Sequence, residues 1–404
     1  MKKTKKTKKW RKFRHKIVFK VLAFILTPIM RIKYGFRPQK FKAQGKRNYL
    51  IISNHQTSFD QFFVCKVFKG PVYFIASEDL FSNGLVSKLI NYLVAPIPIK
   101  KQLTDMRAVM TSAKIAKEGG SIALFPEGNR TFSGTTEYFK ESIVKLAKLI
   151  NLPIALVRIE GGYGVEPRWA KKTRKGKCSA YVYKVLEPED YKNLSEEQLF
   201  QLISQSIFVD DRASNEKFKS NRLAEYLERA VYVCPNCGLS SFRSDKNTIK
   251  CLKCGLTARY NPDKTLSGID KPFPFNSVKE WYDYQQKFIN ELPLTELIDA
   301  PLYTDSVRFS EVKLYKKKIK LEKHANACLY ANKITVSGKK HSFEFEFSSL
   351  SAVTVLGRNK VNLYFNDKVY QIKPQKRFNA LRYVHFYNRY MNIKEGKNNE
   401  FLGI

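Results

Sequence analysis

His55 and Asp60, with four residues between them, form the first pair along the chain that could carry out acid–base chemistry. An ionised carboxylate beside an imidazole fixes the ring tautomer and stabilises the imidazolium, so His55 would act as a general base. His55 is one of two histidines in the first 323 residues, the other being His15 in the basic N-terminal region. A surface histidine near a helix-starting aspartate fits this spacing equally well.

A second group of polar residues follows about seventy positions later, in the segment Phe125-Pro126-Glu127-Gly128-Asn129-Arg130. The guanidinium of Arg130 offers a planar fork that suits a phosphate group, and Gly128 would let the backbone approach a ligand closely. Glu127 could hold Arg130 or the substrate by hydrogen bonds. The alternative is a mutual salt bridge between Glu127 and Arg130 on a surface loop.

Together the two blocks resemble the glycerophospholipid acyltransferase superfamily, whose type member is 1-acylglycerol-3-phosphate acyltransferase. The resemblance rests on Asn54-His55 with Asp60, followed by residues 125–130, and it covers about residues 35–210. It implies acyl transfer from a thioester of coenzyme A or acyl carrier protein to the hydroxyl of a lysophospholipid. The acceptor that it implies is 1-acylglycerol 3-phosphate, giving phosphatidic acid, with other lysolipids as alternatives.

The resemblance also implies a role for each site residue. His55 and Asp60 would be catalytic, and Arg130 would bind the acceptor's phosphate. The other expected substrate-binding residues are Lys100, Glu127, Gly128 and Asn129. Lys100 stands where relatives place an arginine, and Asn129 replaces the commoner threonine.

The elements that must position these residues follow from short apolar runs separated by helical stretches. The predicted strands cover residues 50–52, 72–76, 97–99, 121–125 and 154–159, and helices are expected at 105–117 and 141–150. This alternation predicts an α/β domain with a mainly parallel sheet over residues 35–212. His55 should then lie at the carboxyl edge of the sheet. Ser58 and Gln61 fit a capping box, which predicts a helix with Asp60 in its first turn.

Four of the seven cysteines form two Cys-x-x-Cys pairs with thirteen residues between the pairs: Cys234, Cys237, Cys251 and Cys254. Two such pairs can close a tetrahedral thiolate site, so we predict a zinc ribbon at residues 231–260. Four protein ligands leave no open position, which makes the zinc structural. A segment this short would need the metal in order to fold. Four packing cysteines or a redox pair are the alternatives.

The remaining C-terminal sequence predicts two linkers and a further domain. Residues 213–230 read as a charged helical linker and residues 261–300 as a second linker. Residues 301–395 alternate apolar and polar side chains, which predicts antiparallel strands with turns at 338–340 and 366–367. A final helix should place Phe378, Leu381, Val384, Tyr387 and Met391 on one stripe. This α+β arrangement resembles a pleckstrin-homology-like module in architecture.

The chain is strongly basic, with 73 Lys and Arg against 36 Asp and Glu and a formal net charge of +37. Such an excess indicates an anionic partner, either anionic lipid or nucleic acid. In residues 1–34 a basic start precedes the 14-residue apolar run 17–30, which Pro28 interrupts. A membrane span needs about 20 residues. We therefore predict a peripheral or monotopic anchor on the cytoplasmic face of the cell membrane. A cleaved signal, a true span and a core helix are the alternatives.

Two rival functions fit part of the sequence. A basic zinc-ribbon protein could bind nucleic acid or an anionic membrane without catalysis, but the chain has no recognised base-reading motif, and both acyltransferase blocks would stay unexplained. Nucleic acid is therefore not the expected partner. An inactive lipid-binding scaffold would have no need of His55 and Asp60. The sequence thus favours an enzyme with a lysophospholipid acceptor, an acyl donor and an anionic membrane surface as its partners.

Overall fold

The structure, a computed structural model, divides the chain into two compact units. It describes residues 9–82, 84–99, 106–212, 216–313, 316, 318–374, 377–397 and 400–403. The first unit consists of Met1–Gly128, Phe139–Glu160 and Cys178–Val209. The second consists of Asn129–Tyr138, Gly161–Lys177 and Asp210–Ile404. The predicted acyltransferase domain ends at residue 212, but two segments within it, 129–138 and 161–177, belong to the second unit.

Helices and strands have the following bounds in the described part of the chain. The α-helices are α1 Phe13–Tyr34, α2 Asp60–Val67, α3 Leu85–Val94, α4 Met106–Lys117, α5 Ser142–Ile150, α6 Gly162–Val165, α7 Pro188–Lys192, α8 Glu196–Ile207, α9 Val278–Glu291 and α10 Leu381–Lys394. The strands are β1 Phe36–Pro38, β2 Leu50–Ser53, β3 Val72–Ser77, β4 Ile97–Ile99, β5 Ser121–Leu124, β6 Ile154–Glu160, β7 Cys178–Leu186, β8 Val233–Cys234, β9 Gly238–Leu239, β10 Phe242–Asp245, β11 Thr248–Cys251, β12 Thr257–Tyr260, β13 Leu266–Ile269, β14 Tyr303–Val312, β15 Ile319–Leu329, β16 Lys333–Gly338, β17 Ser342–Glu346, β18 Ala352–Leu356, β19 Lys360–Phe365 and β20 Lys368–Pro374.

The first unit is built on a seven-stranded sheet in the order β1-β7-β6-β2-β5-β3-β4. All neighbouring strands are parallel except β6 and β7, which pair antiparallel. The predicted mainly parallel α/β sheet is therefore confirmed. Strand β2 lies between β5 and β6, so the residues that follow it emerge in the middle of the carboxyl edge. That is the position at which α/β folds build ligand sites.

Buried apolar runs explain why β2, β5 and β6 occupy the centre of this sheet. Ile52, Ile122 and Leu156 are fully buried in one core with Val144 of α5 and Ile203 of α8. Near-continuous apolar strands are typical of parallel sheets with helices on their faces. The core holds β2 firmly, and β2 in turn fixes where the next residues lie.

The N-terminal helix α1 is longer than the apolar run that predicted it. It covers 22 residues and continues through Pro28, so the predicted interruption at this residue is wrong. A proline near the end of a helix can be accommodated by a local kink or by other partners for the freed carbonyl. Large apolar side chains are exposed at intervals along nearly the whole of α1: Phe13, Ile17, Val21, Phe24, Ile25, Ile29 and Ile32. Among the described helices, none has both the length and the hydropathy to cross a bilayer.

The second unit has three antiparallel sheets and one shared core. The pair β8–β9 and the four-stranded sheet β10-β11-β12-β13 precede a seven-stranded sheet in the order β17-β16-β15-β14-β20-β19-β18. Phe132 and Trp169, from the two early segments of this unit, are fully buried in the same core as Trp281 and Phe347. The early segments are thus held by the C-terminal half of the chain.

Both predicted linkers are wrong. Residues 216–230 form turns, a bridge and a short 3₁₀ helix instead of an α-helix, and residues 213–215 lie outside the described part. Lys219 pairs with Lys175, the buried Phe218 fits beside Gly164 and Gly176, and Tyr226 has a positive φ of 73°. These tertiary contacts override helix propensity. The second linker contains β13 and the 14-residue helix α9.

The predicted antiparallel strands and closing helix of residues 301–395 are confirmed. Strands β16 and β17 meet at the expected turn after Gly338, and β19 and β20 are joined by Asn366 and Asp367. Both residues of this two-residue turn have positive φ, 46° and 59°, as a type I′ hairpin requires. Helix α10 follows and packs its apolar stripe into the core.

Candidate functional site

Asn54 fixes the backbone at the carboxyl end of β2. Its side-chain amide donates to the carbonyl of Ile159 at 2.8 Å, and its oxygen accepts the Ile159 N–H at 2.8 Å. Asn54 is buried, so these two bonds satisfy a polar group that has left water. They tie the end of β2 to β6 and thereby hold the next residue, His55, at the sheet edge. The sequence marked Asn54 only as part of the motif.

Asp60 is the residue that orients the His55 ring. Its Oδ2 lies 2.8 Å from Nδ1 of His55 and accepts the backbone N–H groups of Gln56 at 2.6 Å and Thr57 at 2.9 Å. Its Oδ1 accepts the hydroxyl of Thr57 at 2.6 Å. The Asp60 side chain is fully buried, whereas that of His55 keeps 19% exposure. Four hydrogen bonds thus fix the position of this buried carboxylate.

The predicted capping box is wrong, although Asp60 does stand in the first turn of α2. The N-cap position is Phe59, which provides no side-chain cap, and Gln61 donates to the carbonyl of Ser58 instead. Asp60 instead accepts the backbone N–H groups of Gln56 and Thr57, which precede the helix. The reason is burial, because a carboxylate removed from water takes every available donor.

The block after β5 supports His55 from a second side. The ring of Phe125 stacks on the His55 ring with centroids 4.3 Å apart and planes 15° from parallel. Oε1 of Glu127 accepts the backbone N–H of His55 at 2.7 Å. Glu127 therefore positions the histidine, a role that neither prediction for this residue included. His55, Asp60, Phe125 and Glu127 thus form one cluster in the first unit.

Gly128 adopts a backbone conformation that favours glycine. Its φ is +65°, and a Cβ placed there would meet no atom within 4 Å. Its N–H donates to the carbonyl of Phe125 at 3.0 Å, which closes the turn over Pro126 and Glu127. The left-handed conformation requires glycine here, and the open space at its Cα is compatible with the expected close approach of a ligand.

Asn129 and Arg130 belong to the second unit, where two buried residues hold them. Arg168, which is 1% exposed, donates to the Arg130 carbonyl at 2.8 Å and to Oδ1 of Asn129 at 3.1 Å. Nη1 of Arg130 lies 3.6 Å from Oε1 of the buried Glu166. The sequence did not single out Arg168 or Glu166. An alternation of charged and apolar residues at 166–169 carries no motif, so only tertiary structure reveals these contacts.

The predicted site residues therefore fall into three groups. His55, Asp60, Glu127 and Gly128 lie in the first unit, and Asn129 and Arg130 lie in the second. Lys100 lies outside the described residues.

The four paired cysteines lie together in the second unit, at a spacing that suits one metal ion. The four Sγ atoms of Cys234, Cys237, Cys251 and Cys254 are all within 4.8 Å of one another. Cys234 and Cys254 are 3.5 Å apart, and Cys237 and Cys251 are 3.6 Å apart. Tetrahedral zinc with sulfur at about 2.3 Å would need sulfurs about 3.8 Å apart.

The surroundings of Cys251 favour a thiolate ligand. Burial raises its pKa, but hydrogen bonds from Ser240 and from backbone N–H groups outweigh burial and lower the pKa to about 6. The segment is not the isolated ribbon that the sequence predicted, because Cys234 and Cys251 are buried in the large core of this unit. Trp281 of α9 donates to the Val233 carbonyl at 2.7 Å and holds β8 in place.

Comparisons with known proteins show that part of the chain is similar to acyltransferases. Residues 36–160 match the model of the family described as Acyltransferase. A probable 1-acyl-sn-glycerol-3-phosphate acyltransferase of Mycoplasma genitalium is 23% identical over 187 residues, which are 42% of this chain and 69% of that protein. The 1-acyl-sn-glycerol-3-phosphate acyltransferase alpha of Ovis aries is 24% identical over 213 residues, which are 50% of this chain and 74% of that protein.

Two further proteins are similar to this chain over less than half of its length. A probable 1-acyl-sn-glycerol-3-phosphate acyltransferase of Mycoplasma pneumoniae is 30% identical over 127 residues, 30% of this chain and 47% of that protein. A crystal structure of the 1-acyl-sn-glycerophosphate acyltransferase of Thermotoga maritima is similar at 23% identity and a TM-score of 0.42, over 48% of this chain and 78% of that one. The family match of residues 36–160 and the curated relatives show that the protein is an O-acyltransferase.

Proposed function

We propose that the protein transfers an acyl chain from an acyl thioester to the free hydroxyl of a lysophospholipid, with 1-acylglycerol 3-phosphate as acceptor and phosphatidic acid as product. The donor would be the thioester of coenzyme A or of acyl carrier protein. The observation that carries this proposal is the 2.8 Å contact between Nδ1 of His55 and Oδ2 of the buried Asp60. The named activity of the curated relatives supports the choice of acceptor.

The dyad suits general-base catalysis. When Nδ1 donates to Asp60, the neutral imidazole carries its lone pair on Nε2. Nε2 takes the proton of the acceptor hydroxyl as its oxygen attacks the thioester carbon. The carbon–sulfur bond then breaks, and the leaving thiolate takes the proton back from the imidazolium. Asp60 stabilises the imidazolium between these two transfers, and no acyl-enzyme forms.

Arg130 would hold the acceptor's phosphate, because a guanidinium fork and a phosphate form paired hydrogen bonds. The contact of Arg130 with Glu166 keeps this side chain ordered before substrate binds. Phe125 and Glu127 would keep the His55 ring and backbone in place during the reaction.

The test is an acyl-transfer assay on the purified full chain. Acyl-coenzyme A and acyl carrier protein thioesters are each offered with a panel of lysolipids, and products are identified by mass. Phosphatidic acid formed from 1-acylglycerol 3-phosphate, and absent with the His55→Ala protein, is the expected result. A wild-type protein that acylates other lysolipids but not this acceptor would show that the acceptor is wrong.

We also propose that the four cysteines hold one structural zinc ion in a zinc ribbon. Four sulfurs that approach one another within 4.8 Å support a closed tetrahedral site. The zinc would take no part in acyl transfer, since four thiolates leave it no open position. Cysteines in this arrangement fit a reducing compartment, which supports a location on the cytoplasmic side of the membrane.

Helix α1 supports a membrane surface as the partner of the first unit. Phe24 is 84% exposed and Ile32 is 86% exposed, and basic residues such as Arg31 and Lys33 flank them. On α3, Leu85 is 78% exposed. Exposed apolar side chains edged by lysine and arginine are typical of helices that lie on anionic bilayers. Flotation with anionic but not neutral vesicles, weakened by salt, would support this; equal binding to both would contradict it.

The pleckstrin-homology-like interpretation of residues 301–395 rests on topology. Strands β14–β17 and β18–β20 form two antiparallel meanders that meet where β14 pairs with β20, and α10 follows directly. We offer it as an architectural description of these residues.

A further inference from the structure

An open groove of about 700 Å³ runs along helix α1 and ends against helix α2, within the first unit. Its apolar lining comes from α1 and includes Phe19, Ala23, Phe24 and Pro28. Three cations line it as well, Lys20 and Arg31 of α1 and Lys66 of α2. The volume is within the range of about 300–1,000 Å³ that is typical of ligand sites. Along α1 the apolar residues lie between the two cations.

The packing of α1 against α2 explains why a groove forms here. The ring of Tyr34, the last residue of α1, lies 4.9 Å from that of Phe59 and 5.4 Å from that of Phe63. Arg31 and Lys66 each stand about one turn away from this contact, so the two helices run antiparallel. Helix α1 has 22 residues and α2 has 8, which gives lengths of about 33 Å and 12 Å. Most of α1 therefore extends past the end of α2, and the groove lies along that extension.

The groove is separate from the catalytic pair. Asp60 stands in the first turn of α2, whereas Lys66 stands in its last turn. Six residues of helix separate them by about 9 Å along the axis. A ligand in the groove would therefore meet the end of α2 that lies away from the reacting groups.

The cations of the groove have no carboxylate to balance them in the part of the chain that the structure describes. No ion pair there involves Lys20, Arg31 or Lys66. Residues 1–59 contain no Asp or Glu, and α2 contains only Asp60, which is fully buried in the catalytic pair. The groove thus carries positive charge that no residue of either helix offsets.

Lys66 is the cation with the least access to water. It is half-buried, whereas Arg31 is exposed. Lys40 lies near it, because the next residue, Phe41, donates its N–H to the carbonyl of Val67 at 2.9 Å. Burial, followed by the charges of Lys40 and Arg31, lowers the pKa of Lys66. A bound anion would offset both the repulsion and the lost hydration of this ammonium.

An anionic phospholipid matches both parts of the lining. Residues 19–32 cover about 20 Å along the helix axis at 1.5 Å per residue, and the hydrocarbon of one leaflet is about 15 Å thick. One acyl chain can therefore lie along the apolar residues while the phosphate reaches Arg31 and Lys66. A soluble phosphate would leave the apolar lining uncovered, and an uncharged lipid would leave the cations unpaired.

We propose that this groove binds one molecule of an anionic phospholipid, with its phosphate between Arg31 and Lys66 and one acyl chain along α1. This rests on the proposed function, in which α1 lies on an anionic membrane. The groove adds recognition of a single lipid to the general attraction of a basic helix for a charged surface. The bound lipid holds the free part of α1 against the end of α2.

Native mass spectrometry of the full chain in detergent tests the proposal without a bilayer. Phosphatidylglycerol and phosphatidylcholine with the same acyl chains are added at equal concentration, and the mass gives the number of lipids bound to each chain. We expect one phosphatidylglycerol per chain, bound about tenfold more tightly than phosphatidylcholine because of its net charge. Equal binding of the two lipids, or a series of lipids with no preferred number, would overturn the proposal.

Lys66→Gln and a matched control distinguish the site from general charge. Lys66→Gln should weaken binding of phosphatidylglycerol about fivefold to tenfold, because a cation beside the phosphate is removed. Lys148 also stands half-buried in the last turn of a helix of the first unit, α5, and donates to the carbonyl of Leu194 at 2.6 Å. Lys148→Gln removes the same charge and should leave binding unchanged. An equal loss in both variants, or no loss in Lys66→Gln, would overturn the proposal.

Ala23→Trp tests the apolar part of the groove. Ala23 is half-buried on α1, so a tryptophan at this position would fill the space that the acyl chain needs. Binding of phosphatidylglycerol should fall while the basic residues stay in place. Undiminished binding in a folded Ala23→Trp protein would show that the chain lies elsewhere.

Flotation with anionic vesicles separates this inference from the proposed membrane surface. If wild type floats but binds both lipids alike in detergent, the membrane surface stands and the lipid site is wrong. If wild type binds one phosphatidylglycerol in detergent but does not float, the lipid site stands and the membrane surface is wrong.

Two rival occupants give results that differ from those expected. Palmitoyl-coenzyme A that displaces the bound phosphatidylglycerol, with a raised KM for this donor in Lys66→Gln, would make the groove a donor site. A dimer in the same mass spectra that phosphatidylglycerol dissociates would place a second copy of the chain on α1. Either result would overturn the proposal.

Discussion

Asp60→Asn should separate the catalytic role of this side chain from its structural role. Oδ2 of Asp60 accepts three of its hydrogen bonds, and Oδ1 accepts the Thr57 hydroxyl. An asparagine with its oxygen in the Oδ2 position can keep all three, and its amide can donate to the hydroxyl of Thr57. The shape and the hydrogen bonds persist, and the negative charge is removed.

The expected rate loss is large and the expected stability loss is modest. Without the negative charge of the carboxylate, the imidazolium of His55 is no longer stabilised. Loss of this kind of support costs about two to four orders of magnitude in kcat, or about 2.7–5.4 kcal/mol. Hydrogen bonds to a charged group are about twice as strong as neutral ones. Weakening three of them should lower the free energy of unfolding by about 1–3 kcal/mol.

Single-turnover acyl transfer and a thermal melt measure the two effects on the same preparation. Glu118→Gln is the matched control, because the Glu118 carboxylate also accepts two backbone N–H groups, those of Trp10 and Arg11, and contacts no catalytic residue in the described contacts. It should lose a similar amount of stability and keep its rate. A folded Asp60→Asn protein with a rate within about threefold of wild type would refute the dyad mechanism.

Three further predictions concern the second unit. Purified protein should hold about one zinc per chain, and chelation of that zinc should lower the melting temperature of the whole second unit, because Cys234 and Cys251 lie in the core of this unit. The control Cys328→Ala should leave the zinc content unchanged. Native protein that contains no zinc would refute the site. Truncation near residue 215 should abolish soluble, active protein, because Phe132 and Trp169 would lose the core that buries them. The loss of stabilisation should be about 3–5 kcal/mol for each side chain. Full activity of the truncated protein would contradict this. Burial lowers the pKa of His385 to about 3, so the unfolded state binds an extra proton below pH 6.5. The free energy of unfolding should therefore fall by about 1.4 kcal/mol per unit as pH drops from 6.5 towards 3, and His385→Gln should flatten that slope in acid denaturation curves.

Local pattern predicted the first unit well because its strands are short, apolar and bounded by turns. Residues 50–52, 72–76, 97–99 and 154–159 all fall within observed strands. The strand before His55 could be recognised, so its place at the sheet edge followed from topology. Its support by Asn54, Phe125 and Glu127 could not be predicted, because these contacts join residues that are about seventy to one hundred positions apart.

Tertiary contacts explain the failures in the second unit. The helical pattern at 216–230 gave no sign that Phe218 would be buried beside two glycines. The linker assigned to 261–300 ignored the amphipathic spacing of Trp281, Gln285 and Ile289, which α9 buries. Glu166 and Arg168 form an acid–base pattern that occurs on any surface, and only their contacts with residues from two other parts of the chain give it meaning.

The division of the chain also sets an order of events during synthesis. The segment Asn129–Tyr138 leaves the ribosome early, but most of the core that contains Phe132 comes from residues between 223 and 402. Domains tend to fold from the N-terminus as they emerge, so the first unit can form its sheet while this loop still lacks its core. A nascent chain would therefore have an assembled His55 and Asp60 pair before the core around the loop that carries Arg130 is complete.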